Sequence, residues 1–302
     1  MGALLAMLSS LLWGTGDFLG GTLSRRAHPV AVIRASQGLA ALGLVVIVLA
    51  TGELGRTGAI GWGVAGGIAG CVGLSAFYAA LAAGTMGVVA PVAATGVVIP
   101  VAVGLARGES PTTWQLVGVV VTIVGIVLAA GPERARAATT APGDGEALAG
   151  RAPGEPPREV RSPAAVRRSL LLSGVAAVGF GTTFATVAEG GTTSVAMTLL
   201  SMRFTSTVIT STLLVTVLRR APRPTRRDLP VIATIAVTDA GANGTFALAA
   251  GLGQVSISAV LASLYPAVTA LLAWRIHHER LRPVQVAGVV ATLAGVALLA
   301  AG

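Results

Sequence analysis

This 302-residue sequence has no lysine, a single cysteine and few aromatic side chains, and only 11% of its residues are charged. Each shortage closes off a class of function. One cysteine cannot form an internal disulfide, and Cys71 lies inside an apolar run away from any cluster of metal-ligating residues. Scarce aromatics leave no surface for stacking bases, so the net charge of +9, carried wholly by arginine, does not point to nucleic acid. His28, His277 and His278 stand in connections without a serine, cysteine or metal-ligand partner, and the glycine runs lie in apolar segments with no following lysine. No catalytic residue, metal or cofactor is expected, and the chain does not read as an enzyme.

What is present is apolar side chain. At 54% apolar residues and a mean hydropathy of +0.81, there is too little polar surface to cover a water-soluble globule of this length. Ten apolar segments of membrane-spanning length can be placed, at 3–23, 30–50, 60–83, 88–106, 113–130, 169–188, 194–218, 229–250, 255–274 and 284–301. In lipid each must satisfy its own backbone, so they are expected to be helices. The first of them has no basic stretch before it and no convincing cleavage site after it, so it reads as a span and not as a removed signal peptide.

The sequence also repeats itself. Ala80-Leu81-Ala82-Ala83-Gly84 returns as Ala247-Leu248-Ala249-Ala250-Gly251, 167 residues on, and Glu109, Gln115, Gly118 and Gly125 return as Glu279, Gln285, Gly288 and Gly295, 170 residues on. Two copies of one five-span unit are implied, 1–131 and 169–302. Between them, 132–168 carries six prolines, seven arginines and five acids with almost no large apolar side chain, and is expected to be a disordered linker. The connections after spans one, five, seven and nine hold 17 of the 21 arginines, which puts them in the cytoplasm and both termini outside. An odd number of spans per copy makes the copies insert upside down relative to each other. The expected fold is an all-α integral membrane protein of ten transmembrane helices in two inverted five-helix repeats, multi-pass in the inner or plasma membrane.

Trp13-Gly14 followed by Phe18, an arginine early in spans two and seven (Arg34 and Arg203), a proline in spans four and nine (Pro100 and Pro266), Gly108-Glu109, and the twice-occurring Gln-x-x-Gly-x6-Gly pattern resemble the EamA-type transporters of the drug/metabolite transporter superfamily. Only the linker falls outside this resemblance. It implies a secondary transporter, generally an exporter, of small organic metabolites such as amino acids or drug-like compounds, with a central cavity between the repeats. Departures are His278, where that family usually has glycine, and a second-copy proline shifted by four positions, about one helical turn. The expected partners are a small-molecule substrate and the lipid bilayer, with a homodimer left open. The rival reading is a membrane protein that transports no solute, such as a lipid scramblase or an assembly factor.

Candidate substrate-binding or coupling residues are Trp13, Asp17, Tyr78, Pro100, Arg203, Asp239, Asn243, Tyr265 and Pro266. An acid inside an apolar span costs about 2.5 to 3.5 kcal/mol, so Asp17 and Asp239 each need a reason to be there. Asp17, one turn after Trp13 among glycines, is either a proton- or cation-handling carboxylate or an interfacial acid paired with Arg25 or Arg26. Asp239, with Asn243 one turn on, is either a proton-coupling group or one half of a structural pair with Arg203. Arg34 lies close enough to a span end to serve as an anchor. Glu109 suits the positive end of the helix that comes after it. Tyr78 and Tyr265 are rare polar aromatics, and Pro100 and Pro266 free backbone carbonyls within spans. Gly63, Gly66, Gly67 and Gly70 read as a close helix-packing surface.

Overall fold

The computed structural model describes residues 1–83, 86–129, 163–277 and 283–301, and among these every regular element is helical. In chain order the helices are α1 (Gly2–Leu23), α2 (Pro29–Thr51), α3 (Ile60–Ala83), α4 (Met86–Ala94), α5 (Val98–Ala106), α6 (Thr113–Ala129), α7 (Pro163–Gly191), α8 (Val195–Thr216), α9 (Leu229–Gly251), α10 (Val255–Ala262), α11 (Tyr265–His277) and α12 (Pro283–Ala301). Gly84, His278 and Glu279 of the repeated blocks, and residues 132–162 of the expected linker, lie outside the described residues. The last six residues of that linker, 163–168, are helical, so the sixth expected span starts earlier than residue 169. Pro163 suits a helix start, where its missing N–H has no partner to lose.

Seven helical stretches among the described residues are long and apolar enough to cross a membrane: α1, α2, α3, α7, α8, α9 and the α10–α11 pair. The remaining expected spans, 88–106, 113–130 and 284–301, are occupied by α4 with α5, by α6 and by α12. Large apolar side chains such as Leu11, Leu42, Val46, Phe204 and Val237 point outward and are exposed, as the surface of a lipid-embedded bundle requires.

Local chemistry sets the helix ends. His28 caps α2, its Nδ1 accepting from the Val30 N–H at 3.3 Å, and the helix stops at Gly52, whose φ of 70° is left-handed. Ser194 caps α8 through the Met197 N–H at 2.9 Å, and Thr225 with Asp228 forms a capping box ahead of α9. The proline-bearing spans are each broken in two. A 3-10 turn at Thr95–Val97 separates α4 from α5, and a turn at 263–264 separates α10 from α11. Pro100 and Pro266 therefore sit in the first turns of α5 and α11, where a missing N–H costs little, and not within a continuous kinked helix.

The halves interlock. α1 packs on α9 while α3 packs on α7, α3 meets α8 while α2 meets α9, and α1 contacts α10 while α4 contacts α7. In each of these three pairs, one contact becomes the other when the halves are exchanged. α2 also lies against α8 and α6 against α12. Glycines permit the tight crossings of α3: a Cβ on Gly63 or Gly67 would fall 2.5 or 2.7 Å from the backbone oxygens of Thr198 and Met202 in α8. Gly66 and Gly70 face Thr186 and Thr183 of α7, so the four expected packing glycines serve two neighbours.

The two ends of the bundle differ. At one, the arginine-bearing connections meet: Arg26 ion-pairs with Asp228, and the His28 N–H donates to the Pro222 carbonyl at 2.9 Å. At the other, acids join the connections: Ser194 donates to Glu53, Arg107 pairs with Glu189, and Glu109 accepts from the backbone N–H groups of Val255 at 2.7 Å and Ser256 at 3.2 Å and from the Ser256 hydroxyl. Glu109 thus caps α10 of the opposite half and not the helix next to it in the chain. The N-terminus of a helix draws whichever carboxylate the tertiary fold brings to it.

Candidate functional site

Near the middle of α9, Asp239 gathers donors from four helices. Arg203 Nη1 of α8 lies 2.9 Å from Oδ2, Gln37 Nε2 of α2 donates to the same oxygen at 2.7 Å, Trp13 Nε1 of α1 donates to Oδ1 at 3.3 Å and Asn243 Nδ2 to Oδ1 at 3.1 Å. Arg203 donates in turn to Gln37 Oε1 at 2.7 Å and, through Nη2, to the Asp239 carbonyl at 3.2 Å. The side chain of Arg203 is 4% exposed and that of Asp239 16%. A buried ion pair is supported when further hydrogen bonds fill its remaining lone pairs and N–H groups, and Gln37, Trp13 and Asn243 fill all but Arg203 Nε here. Of the two readings of Asp239, the structural pair with Arg203 is formed.

This network forms one wall of a cavity of about 50 Å³, lined from α1, α2 and α3 of the first half and α7, α8, α9 and α11 of the second. Trp13, Asp17, Arg203, Asp239, Asn243 and Tyr265 all line it. Trp13 stands at the centre of an aromatic group, its ring centroid 4.9 Å from Phe184, 6.0 Å from Phe246 and 6.5 Å from Tyr265, and Tyr265 is 6.4 Å from Phe180. Tyr265 carries a buried hydroxyl without a partner among the described residues.

Asp17 is 6% exposed and, among the described residues, no hydrogen bond or ion pair reaches its carboxyl. Arg26, one of its expected interfacial partners, pairs with Asp228 instead. Two carboxyl groups thus face one cavity, with one saturated and the other open.

Three of the expected site residues lie elsewhere. Tyr78 is packed in the core with Phe77 and Val89, its ring so close over Gly20 that a Cβ there would overlap the phenol. Pro100 and Pro266 are buried beside the helix breaks without lining the cavity. Arg34 is exposed at the bundle surface, Nε 3.5 Å from the Ser211 hydroxyl, as an anchor would be. The hydroxyls along α8 bond mostly to carbonyls: Thr210 to that of Ser206 at 2.6 Å, and Ser206, which lines the cavity, to that of Gly67 at 3.1 Å.

The sequence did not single out Gln37, Phe180, Phe184 or the cavity position of Cys71. The repeat offset held part of the signal, since Phe180 and Phe184 stand 167 residues after Trp13 and Asp17. Among the described residues no group of His, Cys, Asp and Glu could hold a metal ion.

No curated protein matches this chain. A solved crystal structure, described only as that of a protein, superposes with a TM-score of 0.68 at 15% identity, over 98% of this chain and 95% of its own, a likeness that speaks to fold alone. The sequence matches the EamA-like transporter family over 1–131 and again over 168–301, the two stretches that the internal repeat marks out. With both stretches matched, the chain belongs to the EamA-like transporter family.

Proposed function

We propose that the protein is a secondary transporter that carries a small organic solute, such as an amino acid or a drug-like metabolite, outward across the cell membrane by alternating access. The observation that carries this reading is the cavity itself, walled by both halves and holding a carboxyl group that no described residue satisfies. Ten membrane crossings in two inverted repeats fit the exchanged contacts of the halves, the paired breaks at 95–97 and 263–264, and the segregation of arginines to one end. That end is cytoplasmic by the positive-inside rule. The outward direction rests on the family resemblance.

Proton coupling is assigned to Asp17, since Asp239 is fixed by Arg203. The titratable and charged groups that share the Asp17 environment are Asp239 of α9, Arg203 of α8, Tyr78 of α3 and Tyr265 of α11. A carboxyl that takes a proton from one side and gives it up to the other biases which conformation is populated, and so ties solute movement to the pH gradient. The groove on the outer surface between α3 and α7, lined by Ala69, Val72, Gly174, Val175, Val178, Gly179 and Thr182, is apolar apart from one hydroxyl. A lipid headgroup path would need polar groups there, which supports a carrier over a scramblase.

The test is reconstitution in proteoliposomes, with solutes found by a counterflow screen of labelled amino acids and amines. The wild-type protein is expected to accumulate its solute against a gradient when a pH difference is imposed. Asp17→Asn should lose that accumulation while still exchanging solute for solute once the solute concentration is raised to offset weaker binding. Equal pH-driven accumulation by Asp17→Asn removes Asp17 from the coupling, and no counterflow of any solute removes the transport reading.

A further inference from the structure

The charges and rings of the cavity also specify what it holds, and this step rests on the transport reading above. Among the described residues, three formally charged side chains line the cavity, Asp17, Arg203 and Asp239. The last two cancel at 2.9 Å, and apart from Arg203 Nε their donors and acceptors are taken up by Gln37, Trp13, Asn243 and each other. The charge left over is that of Asp17 in its ionised form. With its burial to 6% exposure, no described protein group offsets its desolvation. A bound ligand is then the natural source of the missing positive charge.

The neighbouring walls suit the same ligand. Phe184, Trp13, Tyr265 and Phe180 form a continuous run of rings at 4.9, 6.5 and 6.4 Å, all four lining the cavity. Ring faces attract a cation within about 6 Å, and more strongly where water is excluded. Trp13 is oriented by its N–H bond to Asp239, so its face is presented without being free to turn. The rest of the lining includes Ile33, Leu74 and Met202, which accommodate an apolar body. A carboxylate solute has a poorer prospect. The buried Arg203 Nε lacks a partner among the described residues, but an anion placed there would share the cavity with the carboxylates of both Asp17 and Asp239.

We infer that the site selects organic cations: an ammonium group seats on Asp17 and its apolar or aryl body lies among Trp13, Phe180, Phe184 and Tyr265. The test is equilibrium binding by the purified full chain, near neutral pH, of three ligands matched in shape and differing in charge: 2-phenylethylamine, 2-phenylethanol and 3-phenylpropanoate. The amine is expected to bind at least about tenfold tighter than either of the others, the margin of one well-placed charge contact. Asp17→Asn, nearly isosteric, should bring the amine down to the level of the alcohol. Phe184→Leu, which keeps apolar volume and removes a ring face, should weaken the amine several-fold and by more than it weakens the alcohol. The inference is overturned if the alcohol or the carboxylate binds as tightly as the amine, if Asp17→Asn keeps the amine's advantage, or if none of the three binds. Binding of the uncharged or anionic member that Trp13→Ala abolishes would overturn the charge preference and leave the cavity standing as a solute site. The counterflow screen decides the transport reading separately.

Discussion

Replacing Arg203 by alanine is expected to cost about 3 to 5 kcal/mol of stability, because it leaves Asp239 buried without its counter-ion. Gln37 and Trp13 would remain as donors to the carboxylate, but neither carries charge, and Gln37 would lose the guanidinium that orients its amide. The loss should be partly reversed by a second change: Arg203→Met with Asp239→Leu removes both charges together and should unfold later on heating than Arg203→Ala alone. Both variants should fail to transport. The first frees the carboxylate that orients the Trp13 ring, and the second removes it. Thermal unfolding in detergent distinguishes the cases. An Arg203→Ala protein that melts with the wild type would show that the network is not holding α1, α2, α8 and α9 together.

The second large effect comes from a single methyl group. Gly96 lies in the 3-10 turn between α4 and α5, and a Cβ there would overlap the Ala177 carbonyl oxygen of α7 and fall 2.8 Å from its carbon. The obstacle is backbone, which cannot rotate away as a side chain would, so one helix must shift. Overpacking of this kind costs about 1 to 3 kcal/mol and sometimes more, and Gly96→Ala is expected at the upper end. Gly43 in α2 has nothing within 4 Å of the same construction, and Gly43→Ala should be neutral or stabilising by up to about 1 kcal/mol, from helix propensity. The two substitutions are chemically identical, so their difference in melting isolates the helix contact. Equal melting would mean that the broken span does not seat on α7 as described.

The helical character of the chain and its family were legible because apolar length and recurring motifs are one-dimensional signals. Charged groups of the site were legible for a related reason: an acid or arginine within an apolar run is costly, so Asp17, Asp239 and Arg203 drew attention by type alone. Gln37 carries no charge and drew none, although it bridges both members of the ion pair. The aromatic wall was hidden because apolar helices carry apolar side chains on every face, which erases the stripe that separates core from surface in soluble helices. Tyr78 and Tyr265 illustrate the consequence: both are polar aromatics in apolar runs, yet one packs over Gly20 in the core and the other lines the cavity. Partners at helix ends were also beyond reach. The pairing of Glu109 with α10 depends on how the halves meet and not on the residues next to Glu109 in the chain.

The protein carries its own probe for alternating access. Cys71 is its only cysteine, it is buried, and it lines the cavity between the halves. In membrane vesicles of each orientation, a membrane-impermeant methanethiosulfonate reagent reports whether the cavity reaches the outer solution on that side, with Cys71→Ala as the unlabelled control. The account predicts labelling from both sides, at rates that an imposed pH difference shifts in opposite directions and that a bound solute slows on both. Labelling from one side alone, or from neither, in protein that still binds its solute would contradict it.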